Sequence, residues 1–112
     1  MNPPRLVSLK LDVRCKYEKT PAIYRIYVDN DLITERTWYW NRPEAWRTEH
    51  VITENIETVL TLGRHKLVFE PIDSHPDNFY LHNFTLNGQI LHPYCRGLTT
   101  EFAVHANCPA FV

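Results

Sequence analysis

Period-two alternation of apolar and polar residues constrains this chain more than any other feature. Its clearest stretch is Pro21–Trp40, PAIYRIYVDNDLITERTWYW. Tyr24, Ile26 and Val28 share one side of a strand, and Ile23, Arg25 and Tyr27 the other. After the turn residues Asp29-Asn30-Asp31, Ile33, Glu35 and Thr37 alternate with Leu32, Thr34, Arg36 and Trp38. Successive strand side chains point to opposite faces, so each strand buries one face and shows the other. The β-branched and aromatic content suits a half-buried pleated surface. The stretch predicts a hairpin that other strands must cover.

The rest of the chain supplies those strands. Leu9, Leu11 and Val13 alternate with Ser8, Lys10 and Asp12. Ile52, Glu54, Ile56, Thr58, Leu60 and Leu62 fall on one parity, where Glu54 is the misfit and marks a bulge or an edge strand. Gly63-Arg64 reads as a tight turn into Leu67 and Phe69, which predicts a second hairpin. Phe79–Leu86 turns at Asn87-Gly88 into Gln89–Leu91, the strongest short turn signal present, because both residues tolerate positive φ. Pro43 breaks the pattern at 41–49 and suits the first position of one helical turn. Beyond Pro93 the alternation fades, apart from a short strand at Glu101–Val104. Seven or eight short strands with no helical repeat predict an all-β fold, an antiparallel β-sandwich of jelly-roll type. Residues 1–91 form the sandwich domain, and 92–112 an extended C-terminal tail docked on the domain or on a neighbour. The tail's apolar end, Phe111 above all, calls for burial in its own domain or in an adjoining subunit.

Composition narrows the function. One domain fits 112 residues, and 22% charged residues with 44% hydrophobic ones exclude a disordered chain. A formal net charge of -1 provides no field toward nucleic acid or an anionic membrane. No apolar run nears a membrane span, and Met1–Val13 lacks a secretory h-region. Cys15, Cys95 and Cys108 are odd in number and widely spaced, which suits a reducing cytoplasm better than a disulfide framework.

The chemistry-bearing residues are scattered. His50, His65, His75, His82, His92 and His105 include no HxH or HExxH pair, so zinc is not expected. There is no GxSxG elbow, and three glycines make no phosphate-cradling loop. Neither a catalytic residue nor a cofactor is implied, and an enzyme is not expected. Asp29, Asp31, Asp73 and Asp77 offer hard oxygens for calcium, although turn formation accounts for them without a metal. The densest aromatic group is Trp38, Trp40 and Trp46, with Arg36 and Arg47 close by. Packing, a protein interface and a sugar-stacking platform each explain it.

Three strings carry a resemblance: PAIYRIYVDNDLITERTW, ITENIETVLTLGRHKLVFEPI and FTLNGQIL. Together they resemble small β-sandwich proteins of contractile-tailed phages of marine cyanobacteria, which look like carbohydrate-binding-module-type jelly rolls. In that group an IYVD…LITERT hairpin precedes an ENI…LxGxHxLxxEP hairpin and a final NxVxLNG strand. The resemblance spans about Leu9–Leu91 and departs at Tyr39–Thr48 and after Leu91. It implies a non-enzymatic virion protein made in the host cytoplasm, for capsid decoration or at the neck and tail. Its partners would be other virion proteins or further copies of itself, without nucleic acid or membrane. The alternatives are a glycan-binding module, with or without calcium, and an early protein that redirects a host enzyme.

Overall fold

The computed structural model describes residues 4–15, 22–38, 50–72 and 76–105. Its strands are β1 Arg5–Cys15, β2 Ala22–Val28, β3 Asp31–Trp38, β4 His50–Leu60, β5 Gly63–Ile72, β6 Phe79–Leu86, β7 Gln89–Tyr94 and β8 Thr99–Val104, with a 3-10 turn at Pro76–Asn78. They form two antiparallel four-stranded sheets. The first runs β4-β1-β6-β7 and the second β3-β2-β5-β8. The antiparallel sandwich is therefore as the alternation predicts. The β3 and β4 edges lie along one side of it, joined by Arg36 and Glu54, and the β7 and β8 edges along the other, joined by His92 and Glu101.

The core is the meeting of the two inner faces. Val7, Leu9, Leu11 and Val13 of β1 are fully buried, as are Tyr24 and Ile26 of β2 and Leu67 of β5. Tyr24 stacks on Phe69 at 4.6 Å between ring centroids, and Phe69 tilts against Phe79 at 5.1 Å. At the other side Phe84 meets Phe102 at 5.2 Å. Each such side chain stabilises the fold by about 1.5–3 kcal/mol through the apolar surface it removes from water.

Both short hairpins are set by their turn residues. Asp29 and Asn30 have φ of 51° and 70°, and Asn87 and Gly88 have 48° and 85°. Positive φ at both central residues gives the mirror-image turns whose twist matches the strands. Each turn is also fastened to a neighbour. The Ser8 amide donates to Asn87 Oδ1 at 2.8 Å, and the Asn87 amide returns a bond to the Ser8 carbonyl. At the other turn Asp29 accepts from the Lys66 amide at 3.0 Å and donates its own amide to the Lys66 carbonyl.

Two sequence expectations need correction or completion. The hairpin expected at Gly63-Arg64 does not form. β4 pairs with β1 over its whole length, while β5 pairs with β2 and β8 in the opposite sheet. Gly63, at φ 118°, takes the chain across the sandwich instead of back along the same sheet. The stretch after Leu91, read as a tail, completes β7 and adds β8, which lies along β5 from Gly63↔Val104 to Val68↔Thr99. The helical turn expected at Pro43, and the chain end with Phe111, lie outside the described residues.

Candidate functional site

Most of the side chains expected to carry function lie outside what the structure describes; Asp29, Asp31 and Arg36 are described. Trp38 ends β3 opposite Ala22, and Asp77 sits in the 3-10 turn. Trp40, Trp46, Arg47, Asp73 and Phe111 lie outside the described residues. Asp29 uses both carboxylate oxygens within the protein, on His65 Nδ1 and on the Lys66 amide. Asp31 follows the turn as the first residue of β3. Among the described residues no three His, Cys, Asp or Glu side chains group as a metal site.

Arg36 was a candidate interface cation; it is committed to a cross-sheet cluster. Registered opposite Tyr24, it turns to the first sheet and donates Nε to Glu54 Oε1 and Nη2 to Oε2 at 3.3 Å. The Tyr24 hydroxyl donates to the same carboxylate at 2.5 Å. Glu54 is only 3% exposed and would be costly to bury alone. Burial, and then the bond to Glu54, push the Tyr24 hydroxyl far above its ordinary range, so it stays a donor. The bond to Glu54 likewise raises Arg36. The parity misfit at Glu54 marks an edge strand after all, with no bulge in its pairing to β1.

His65 performs a similar task at one end. Its Nδ1 meets the Asp29 carboxylate and its Nε2 the Thr61 carbonyl at 2.7 Å. Both partners are acceptors, so both contacts are hydrogen bonds only when the ring is an imidazolium. Burial lowers its proton affinity, but the Asp29 and Thr61 bonds outweigh that and leave it raised. These charged groups hold the sandwich together.

Among the described residues the two outer faces differ. On the second sheet's outer face Arg25 Nε bonds Glu35 at 2.7 Å, Glu70 lies 4.0 Å from the same guanidinium, and Tyr27 donates toward Glu70. Among the described residues Leu32 is its one exposed large aliphatic. The first sheet differs. Leu6, Val51, Val59, Tyr80 and Tyr94 all occupy outward positions, and all are exposed. Ile90, 56% exposed on β7 opposite Thr85, stands apart, and these five form two groups. Leu6 faces Val59 at one end of the sheet. Val51, Arg14 and Tyr80 lie in one row across β4, β1 and β6 at the other. Tyr94, 78% exposed, joins the second group through His82, its ring edge-on at 5.4 Å. Open grooves of about 460 and 630 Å³ flank Tyr94, and Cys95 lies between them. Burial raises the Cys95 thiol, which keeps it a weak nucleophile.

Sequence reading passed over Tyr80 and Tyr94. Their signal was available for Tyr80, whose parity opposes that of Phe79 and Leu81, but Pro93 obscured it for Tyr94. No protein family, curated protein or solved structure matches this chain.

Proposed function

We propose that this chain is a non-enzymatic virion protein of a contractile-tailed phage, a capsid decoration or neck and tail accessory protein that acts through protein–protein contacts. The observation that carries the contact role is the contrast between the two outer faces. One is laced with ion pairs; the other leaves Leu6, Val51, Val59, Tyr80 and Tyr94 in water. Exposed aromatic and aliphatic groups gathered on one face mark contact surfaces. The hydrogen-bonded clusters at Glu54 and His65 support the same reading, since each is occupied in joining strands. The virion setting rests on the resemblance carried by the three strings. Mass spectrometry of purified particles tests it: the protein is expected among their components, and its absence overturns the assignment.

A second reading is favoured by Tyr94 specifically. A ring 78% exposed between two grooves is a stacking platform for a sugar. A glycan array read with and without chelator tests that reading. Binding that is lost in Tyr94→Ala supports it, and no binding to any glycan overturns it.

A further inference from the structure

We infer that the edge of β4 away from β1, on which no described strand pairs, pairs antiparallel with β4 of a second copy, centred on Asn55, to make one continuous eight-stranded sheet. The inference deepens the contact reading above and rests on it. Sheet edges present unpaired backbone donors and acceptors, and proteins blunt them with bulges, proline, shortness or inward charge. Three of the four edges here are blunted. β3 shifts register between Ile26 and Tyr27, β7 is six residues long and contains Pro93, and β8 is also six residues long. β4 runs eleven residues in unbroken register with β1 and contains no proline. Its one inward charge, Glu54, is held by Arg36 and Tyr24 and does not guard the edge.

The outward residues of β4 read the same from both ends. Val51, Thr53, Asn55, Glu57 and Val59 are symmetric about Asn55 in character. Antiparallel pairing centred there sets Val51 against Val59 of the second copy, Thr53 against Glu57, and Asn55 against itself. Both valines are about half exposed in the single chain, 48% and 57%. Moving the register by one residue pair places Val51 opposite Glu57 or Asn55 opposite Glu57, and the valine match is lost. The centred register also explains the two separate apolar groups on this face. Leu6 and Arg14 are about 27 Å apart at strand spacing, so the groups cannot meet within one chain. Across the two-fold axis Leu6 and Val59 of each copy run into Val51, Arg14 and Tyr80 of the other, and two stripes related by the axis result. A two-fold axis needs such a self-complementary patch, and strand addition supplies main-chain hydrogen bonds along it.

Sedimentation of the full chain over a dilution series tests the pairing. The unaltered protein is expected to reach twice the monomer mass. Val51→Lys with Val59→Lys sets like charges opposite each other twice, and is expected to weaken association more than about tenfold. Val51→Lys with Val59→Glu restores opposite charges and is expected to restore the dimer. All three substituted positions are outward, and an unchanged far-UV spectrum confirms that the fold persists. Asn55→Cys is expected to form a 55–55 disulfide on oxidation, identified by peptide mass. An unaltered chain that stays monomeric at every concentration overturns the inference and leaves the particle test of function standing. A dimer indifferent to the paired lysines overturns it too, as does β4 protection from hydrogen exchange that appears only in assembled particles, which would give the edge to a different protein.

Discussion

The two outer faces of this sandwich are made by the same alternation and used in opposite ways. On β3-β2-β5-β8 the outward residues answer one another: Arg25 has Glu35 and Glu70, and Tyr27 has Glu70. On β4-β1-β6-β7 the polar outward residues also find partners, since Thr53 and Asn83 both donate to Asp12, but the apolar ones are left uncovered. A face whose groups are satisfied within the chain offers a partner little. A face with unburied valines and tyrosines offers surface still to be removed from water. The difference teaches that contact capacity here lies in what the fold leaves unfinished.

The contrast depends on the two sheets staying in register, and the Tyr24–Glu54–Arg36 cluster ties them together on the β3–β4 side. Removing one member is the most damaging change. Arg36→Leu leaves the Glu54 carboxylate buried with only the Tyr24 hydroxyl, and is expected to cost about 3 kcal/mol, read as a lower urea midpoint. Joint replacement of Arg36 and Glu54 by leucine removes the charge altogether and is expected to recover most of that loss. If Arg36→Leu were neutral, the cluster would not be what ties the faces together.

The His65 clamp is a smaller effect with a defined sign. The folded protein holds the imidazole proton more tightly than the unfolded chain, in which the ring titrates near 6.5. A raised folded value means the contribution is whole below about pH 6.5 and is lost as pH rises through the folded value. Asp29, Arg64, Lys66 and Glu101 line the same recess, and the Asp29 carboxylate is the group in contact. Stability is expected to fall by about 1 kcal/mol across that titration, as for a partly exposed ion pair. His65→Gln should flatten the profile; a slope that survives the substitution would assign the effect to another group.

Much of this was legible in the sequence. The inward sets Leu9/Leu11/Val13, Tyr24/Ile26/Val28 and Leu67/Phe69 are buried as the alternation requires, because a period-two pattern has one core-facing solution. Glu54 was visible as a misfit, but its partners were not, since Arg36 and Tyr24 lie 18 and 30 residues away and reach it from the opposite sheet. The route at Gly63 was illegible for a different reason. A glycine at positive φ serves a hairpin and a crossing between sheets equally, and only the pairing of β4 with β1 decides. The extra residue near Ile33 and the positive φ of Asn83 are likewise products of pairing geometry, not of local pattern.

The smallest expected effects discriminate best between the faces, because neither face supports the core. Tyr94→Ala on the first sheet is expected to change stability by less than about 0.5 kcal/mol, as for other exposed positions. Glu35→Gln on the second sheet breaks an ion pair whose two side chains are 39% and 49% exposed, and should leave the unfolding midpoint unmoved at physiological salt. Association should separate what stability does not. Pull-down of particle components, or glycan binding, should be lost with Tyr94→Ala and retained with Glu35→Gln. The reverse pattern would make the ion-paired face the contact surface, and the exposed tyrosine would then be an ordinary apolar group on a protein surface.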